Sequence, residues 1–274
     1  MRAYAERLRG ILARFPYEVV KAPGAEALET WRRLKAAGRG TPVVLGGEED
    51  FARIAENLVS STEERDYTVK QTLEQAATYR FPEDFRARRA QEEAEHERWL
   101  ASQGPEFQRR RAEFAAQFGR EDVQRVAHGP WPKREELAPG PGLTVVEQMN
   151  FDAATHGVSY APYAEVRIVV LPTSDWTEAF AYLCWGGWNS CPYPHEHVAI
   201  MRRWRDQYGI ELVGMSGDVL NLTAARQPAD REAAMTLALE QYEYCADLVD
   251  QGVGTIENLA AGLMVQDWWY FWWD

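Results

Sequence analysis

The chain has 274 residues, 46% of them hydrophobic, and a formal net charge of −12, which is ample for a sizeable core and describes an acidic globular protein. Arg2, Glu6, Arg7, Arg9 and Arg14 break up the first sixteen residues, and no later apolar run approaches membrane-spanning length, so neither a secretory leader nor a transmembrane helix is expected. Three cysteines, Cys184, Cys191 and Cys245, form no CxxC pair and leave an odd count, which argues for reduced thiols and a cytoplasmic location.

In chain order, Leu8, Ile11 and Leu12 recur at helical spacing within Met1 to Phe15, and Tyr17 to Val20 is a short β-prone run closed by Pro23 and Gly24. A helix is predicted from about Ala25 to Ala37 on the spacing of Leu28, Trp31 and Leu34. Thr41 to Gly47 then reads as a buried strand leading into the acidic helix start Glu48-Glu49-Asp50. Those three acids would repel a phosphate, and Gly46-Gly47 belongs to no phosphate-binding pattern.

From about Pro82 to Val126 the chain reads as a charged helical connector, broken at Gly104-Pro105 and ending near Gly119. Its apolar anchors are Phe85, Trp99, Leu100, Phe107, Phe114 and Phe118. Glu92 and His96, and Glu93 and Glu97, lie one turn apart at a metal-compatible spacing, but mixed charge of this kind usually marks a solvated face. Gly129-Pro130-Trp131-Pro132 and Pro139-Gly140-Pro141-Gly142 mark a linker. The expected fold is therefore α/β (α+β) in parts: a small α/β unit over 1–80, a connector and linker over 81–142, and a domain over 143–274 with a mixed sheet flanked by helices.

Within 143–274, Ala164 to Leu171 reads as a strand running from sheet edge to core, and Thr177 to Cys184 as a second strand. A helix over Glu196 to Gly209 follows, then a hairpin joining Ile210–Met215 to Val219–Leu222, and helices over about Asp230 to Asp247 and Ile256 to Met264. The closing run Trp268-Trp269-Tyr270-Phe271-Trp272-Trp273-Asp274 is apolar on both faces, which predicts an interior strand.

The charge is uneven. From Tyr160 onward there are 6 arginines and no lysine against 16 acids, so 10 of the 12 net negative charges sit there. Such a field disfavours nucleic acid and anionic membranes and favours encounter with a basic partner, although acidity also serves solubility alone.

The stretch Trp185 to His197 crowds Cys191, His195, His197, Trp185 and Trp188 around glycine and proline turns. Together with the helix carrying Trp204 and Tyr208-Gly209, the Gln241-Tyr-x-Tyr-Cys-x-Asp247 stretch, Asp250-Gln251-Gly252 and the Trp269-to-Asp274 ending, it resembles the bacterial domain-of-unknown-function 4253 family over roughly residues 150–274. The Thr41-Pro42-Val-Val-Leu-Gly46 strand looks like the segment preceding this domain in longer members. The resemblance implies a soluble bacterial cytoplasmic protein and brings no activity with it. Small bacterial domains of this sort include immunity proteins, which offers an analogy.

Two functional readings follow. In the first, the acidic C-terminal domain is a protein-binding module, with Trp185, Trp188 and Tyr193 as anchors and Asp247, Asp250 and Gln251 as polar contacts for a basic partner. In the second, it is a hydrolase in which Cys191 is a thiolate nucleophile, His195 or His197 the base and Asn189 an orienter or oxyanion donor, with Asp247 or Asp250 in support. Cys191, His195 and His197 would alternatively hold zinc, with a carboxylate as fourth ligand. Neither spacing is an established catalytic or zinc signature, and a rigid structural turn with a buried thiol accounts for the same residues. The binding reading is preferred, with no cofactor required.

Overall fold

The computed structural model describes residues 9–118, 126–152 and 157–274. Leu8 and Gly119, and the side chains of Phe114 and Phe118, fall outside the described set.

Strand β1 (Glu18–Ala22), helix α1 (Ala27–Ala36), strand β2 (Thr41–Val44) and helix α2 (Glu48–Glu64) follow the order expected from the sequence. Three helices come next: α3 (Val69–Thr78), capped by the Thr68 side chain, α4 (Glu83–Ser102) and α5 (Pro105–Phe118), which restarts at the Gly104-Pro105 break. A two-stranded hairpin, β3 (Glu147–Asp152) and β4 (Gly157–Pro162), precedes β5 (Val166–Leu171). The remainder runs α6 (Ala179–Tyr182), α7 (Pro194–Tyr208), β6 (Ile210–Met215), β7 (Val219–Ala224), α8 (Arg231–Tyr244), α9 (Ile256–Leu263) and β8 (Trp268–Trp272). Among the described residues no helix is long and apolar enough to cross a membrane.

The protein is α/β, built on one mixed six-stranded sheet in the order β1-β5-β2-β6-β7-β8. Strand β5 lies between β1 and β2, antiparallel to both, and β2 runs parallel to β6 through Val44 and Gly214. The sheet therefore draws strands from both sides of the Pro/Gly linker, which corrects the expected division into separate units over 1–80 and 143–274. All six residues of β5 are buried, so it is an interior strand rather than one running in from an edge. Its backbone groups require a strand on each side, and the N-terminal segment supplies both.

Two further expectations are corrected. Thr177 to Cys184 is not a strand: a 3-10 turn over Trp176–Glu178 leads into α6, with the Asp175 side chain accepting from the Thr177 amide. That cap satisfies the first turn and lets Phe180 and Leu183 bury on one helical face, overriding the β propensity of the aromatics. Among the described residues the tryptophan-rich strand β8 sits at the sheet edge, pairing only with β7. Trp269, Phe271 and Trp273 enter the core while Trp268, Tyr270 and Trp272 are half-buried, so one face is packed and the other partly covered.

The larger core lies between the sheet and α2, α7 and α8, where Trp204 stacks on Phe271 at 5.8 Å. The opposite face packs α1, through Trp31, and a turn over Thr144–Val146. Asn221 of β7, fully buried, accepts from the Val145 amide at 2.9 Å and so fastens that turn to the sheet.

A fragment comprising 143–274 alone would leave β5 without either of its strand neighbours. It is expected to lose the fixed near-ultraviolet signal of its tryptophans and its amide protection in β5 and β6, measured by circular dichroism and hydrogen exchange, whereas the whole chain retains both.

Candidate functional site

The segment from Trp185 to Pro192 is a closed turn. The Trp185 amide donates to Phe180, the Cys191 amide to Trp188, and the Gly187 amide to Pro192 at 2.8 Å. Gly186 has φ +114°, and a Cβ there would lie 2.2 Å from the Pro192 carbonyl oxygen and 2.8 Å from the His197 ring, so no side chain fits. Cys184, just before the turn, and Asn189, within it, both adopt φ +47°, a left-handed conformation that is costly for non-glycine residues. Helix α7 begins at Pro194, and the Tyr193 amide donates to the Glu196 carboxylate at 2.9 Å, closing the first turn.

Cys191 and His197 meet, but inside the core. Cys191 Sγ lies 3.4 Å from His197 Nε2, and His197 Nδ1 lies 2.6 Å from the Tyr244 hydroxyl. The imidazole stacks on Phe180 at 4.7 Å and is enclosed edge-on by Tyr244 and Trp273, with Trp185 tilted against it. Cys191 is 5% exposed and His197 not at all. Burial pushes the Cys191 thiol well above its ordinary value and holds the His197 imidazole well below its own. Thiol and imidazole are thus held neutral, the opposite of the thiolate–imidazolium pair that cysteine nucleophiles use.

His195 points elsewhere. Two residues apart on α7, the histidines face nearly opposite ways, and His195 lies beside Tyr79 and stacks against Tyr193. The expected Cys191, His195 and His197 donor set is therefore not brought together. Among the described residues no group of three or more His, Cys, Asp or Glu side chains is placed to hold a metal ion. His96, at the other metal-compatible spacing, stacks on Trp99.

Between the histidines, the fully buried Glu196 carboxylate carries the main polar contact of the motif. Arg88 of α4 grips it with two bonds, Nε to Oε1 at 2.6 Å and Nη2 to Oε2 at 2.8 Å, and the Tyr79 hydroxyl donates at 2.5 Å. Burial pulls the Arg88 guanidinium down, yet Glu196 and then Glu92 outweigh it and hold the group above its ordinary value. Arg88 also lies over the Tyr193 ring, and Arg89 donates to the Ser190 carbonyl. The charged connector thereby clamps the turn.

Two cavities flank the turn. One, of 620 Å³, takes Gly186, Gly187, Tyr193 and His195 on its wall opposite α2 and α3. The other, of 360 Å³, is walled by Trp185, Trp188 and Trp273, with Arg53, Asp218 and Asp274 as its charged groups. Trp185 packs edge-on against Trp188 at 4.8 Å and Trp273 at 5.6 Å. Trp185 is 2% exposed and its indole donates to the Ser216 carbonyl, so it is a buried wall rather than the exposed anchor expected of it. Trp188 is half-buried and Tyr193 exposed. Asn189, exposed on the rim, donates to the Asp274 carbonyl at 2.6 Å, and Asp247 accepts from the Asp274 amide while holding Gln251. Asp250 accepts from Tyr242 on α8.

This second cavity lies where Gly217 and Asp218 of the β6–β7 turn meet Arg53 of α2. Arg53, Asp218 and Trp273 were not singled out from the sequence as site residues. Arg53 lies on an ordinary amphipathic helix and Asp218 in a hairpin turn, and only the sheet order brings them to the indoles.

Residues 167–274 match the model of the family described as domain of unknown function (DUF4253). The match contains the three indoles, Asn189, Asp218 and Asp274, while Arg53 of α2 and Arg88 of α4 lie before it. No curated protein and no solved structure matches the chain.

Truncating Arg88 to alanine would strand the Glu196 carboxylate in the core, and a loss of about 3–5 kcal/mol is expected in urea unfolding. Exchanging solvated Arg98 on the same helix is expected to cost under about 0.5 kcal/mol. His197 stays neutral in the folded state and binds a proton only after unfolding, so its contribution to stability is present above pH ~6.5 and is lost as pH falls below it, with a slope of up to about 1.4 kcal/mol per pH unit. A His197→Gln variant is expected to be less stable at pH ~8 but to show a shallower acid slope in the same unfolding series.

Proposed function

We propose that this protein is a binding module whose C-terminal part receives a basic protein partner. The partner would enter through a cationic side chain inserted in the cavity walled by Trp185, Trp188 and Trp273. The observation that carries this reading is the convergence of three indoles with Asp218 and Asp274 in one cavity. Indole faces attract cations, by about 0.5–2 kcal/mol according to desolvation. Two aspartates against one arginine leave the charged rim net acidic. The surrounding half of the chain carries most of the net negative charge, which speeds encounter with a basic surface.

The hydrolase reading has contact between Cys191 and His197 in its favour, yet both lie in the core with the wrong protonation states for attack. A binding role needs none of that chemistry. An immunity-type protein that neutralises a basic toxin is the form of this role suggested by analogy with other small bacterial domains.

Titration of the whole protein with short arginine-containing and glutamate-containing peptides, read by tryptophan fluorescence, tests the reading. Saturable binding of the basic peptide alone is expected, weakening as salt rises. Trp188→Ala is expected to lower affinity about tenfold and Asp218→Asn about threefold. Equal response to both peptides, or no change in either variant, would contradict it.

A further inference from the structure

A third cavity, of 420 Å³, is lined by Trp268, Trp269 and Tyr270 at the start of β8 and takes no part in the reading above. Its apolar walls are Leu248, Val253, Leu259, Leu263 and Trp269, and a proline strap, Pro139 to Pro141, crosses it. The Gln266 side chain pins that strap by donating to the Ala138 carbonyl at 2.9 Å. Along one wall runs a π-helical turn, Leu248–Val253, a distortion that recurs at functional sites.

Gln241 of α8 reaches this wall. It is 2% exposed, and its Nε2 is a buried donor without a hydrogen-bond partner. Folded proteins rarely leave such a group unmet, because its water is lost and nothing replaces it. The other side-chain amides here are committed: Asn258 donates to the Val253 carbonyl and Gln266 to Ala138. No lysine, arginine or histidine lines the cavity, so an anion would find no counter-charge. Among the lining residues the one charged group is Glu136, which is solvent-exposed and whose carboxylate accepts from the Lys133 amide, so nothing buried on the walls neutralises a cation.

We propose that this cavity binds a neutral, largely apolar small molecule, oriented by a carbonyl oxygen that accepts from Gln241 Nε2. The space is of the size that encloses compact ligands, and the indole and leucine walls supply the apolar contact. The site is independent of the cation-binding cavity and stands or falls without it.

A matched pair of probes isolates the carbonyl: para-fluorobenzophenone and para-fluorodiphenylmethane share both rings and differ only in a ketone replaced by a methylene. Fluorine NMR titration of the whole protein is expected to show the ketone binding about tenfold more tightly. Irradiation of the bound ketone is expected to label peptides from α9 and the π-helical turn. In Gln241→Met, which keeps the volume and removes the donor, the ketone's advantage is expected to vanish while hydrocarbon binding persists. Gln241→Leu serves the same purpose should the methionine variant fail to fold. Equal affinity for the two probes, an advantage that survives loss of the amide, labelling elsewhere, or binding of neither probe would overturn the proposal.

Discussion

A carboxylate with no exposed surface has to be neutralised where it lies, and in this chain that requirement falls on Glu196. Desolvation makes such a group costly by several kcal/mol unless its lone pairs are filled, and here the bidentate Arg88, the Tyr79 hydroxyl and the Tyr193 amide fill them. Two of those partners come from the N-terminal half, so the pair joins segments more than a hundred residues apart in sequence. It also fixes how α7 leaves the glycine turn. With Glu196 held towards α4, His197 is directed into the aromatic core and His195 out to a cavity, because helical neighbours diverge by about 100° per residue. The crowded motif is thereby divided among three environments: Cys191 and His197 inside, Tyr193 and His195 on one flank, Trp188 and Asn189 on the other.

Much of the element order was legible from local pattern. The Gly209 stop of α7, in left-handed conformation, and the Asp230 cap of α8 are signals that need no tertiary context. Sheet order was not legible, because parallel pairing of β2 with β6 is a long-range event that leaves no mark on either strand's sequence. The linker at Pro139 to Gly142 consequently suggested a domain boundary where the sheet has none. The Thr177 to Cys184 run misled because its aromatics favour strands while a single side-chain cap at Asp175 decides for helix. Alternation in Trp268 to Trp273 correctly gave two faces, but an edge position depends on what fails to pair, and no local pattern records that.

The site shows a similar division. Residue types drew attention to Cys191 and His197, the pair that packing removes from solvent, whereas the accessible chemistry belongs to Trp188 and to charges contributed from α2 and the β6–β7 turn. The family segment from residue 167 supplies the indoles and aspartates of that cavity. The preceding part supplies Arg53, the Arg88 clamp and both neighbours of β5. Fold and candidate site therefore depend on the whole chain.

In this packing the motif's thiol is core rather than chemistry. Alkylation of the native protein by iodoacetamide, with each cysteine followed by mass spectrometry, measures this directly. Cys191, buried and with its thiol held protonated, is expected to react only at the rate of unfolding and to be protected at least a thousandfold relative to the denatured chain. Rapid stoichiometric modification of Cys191 in the folded protein, faster than a free thiol at neutral pH, would contradict the account and return the Cys191–His197 pair to the surface as a nucleophile and its base.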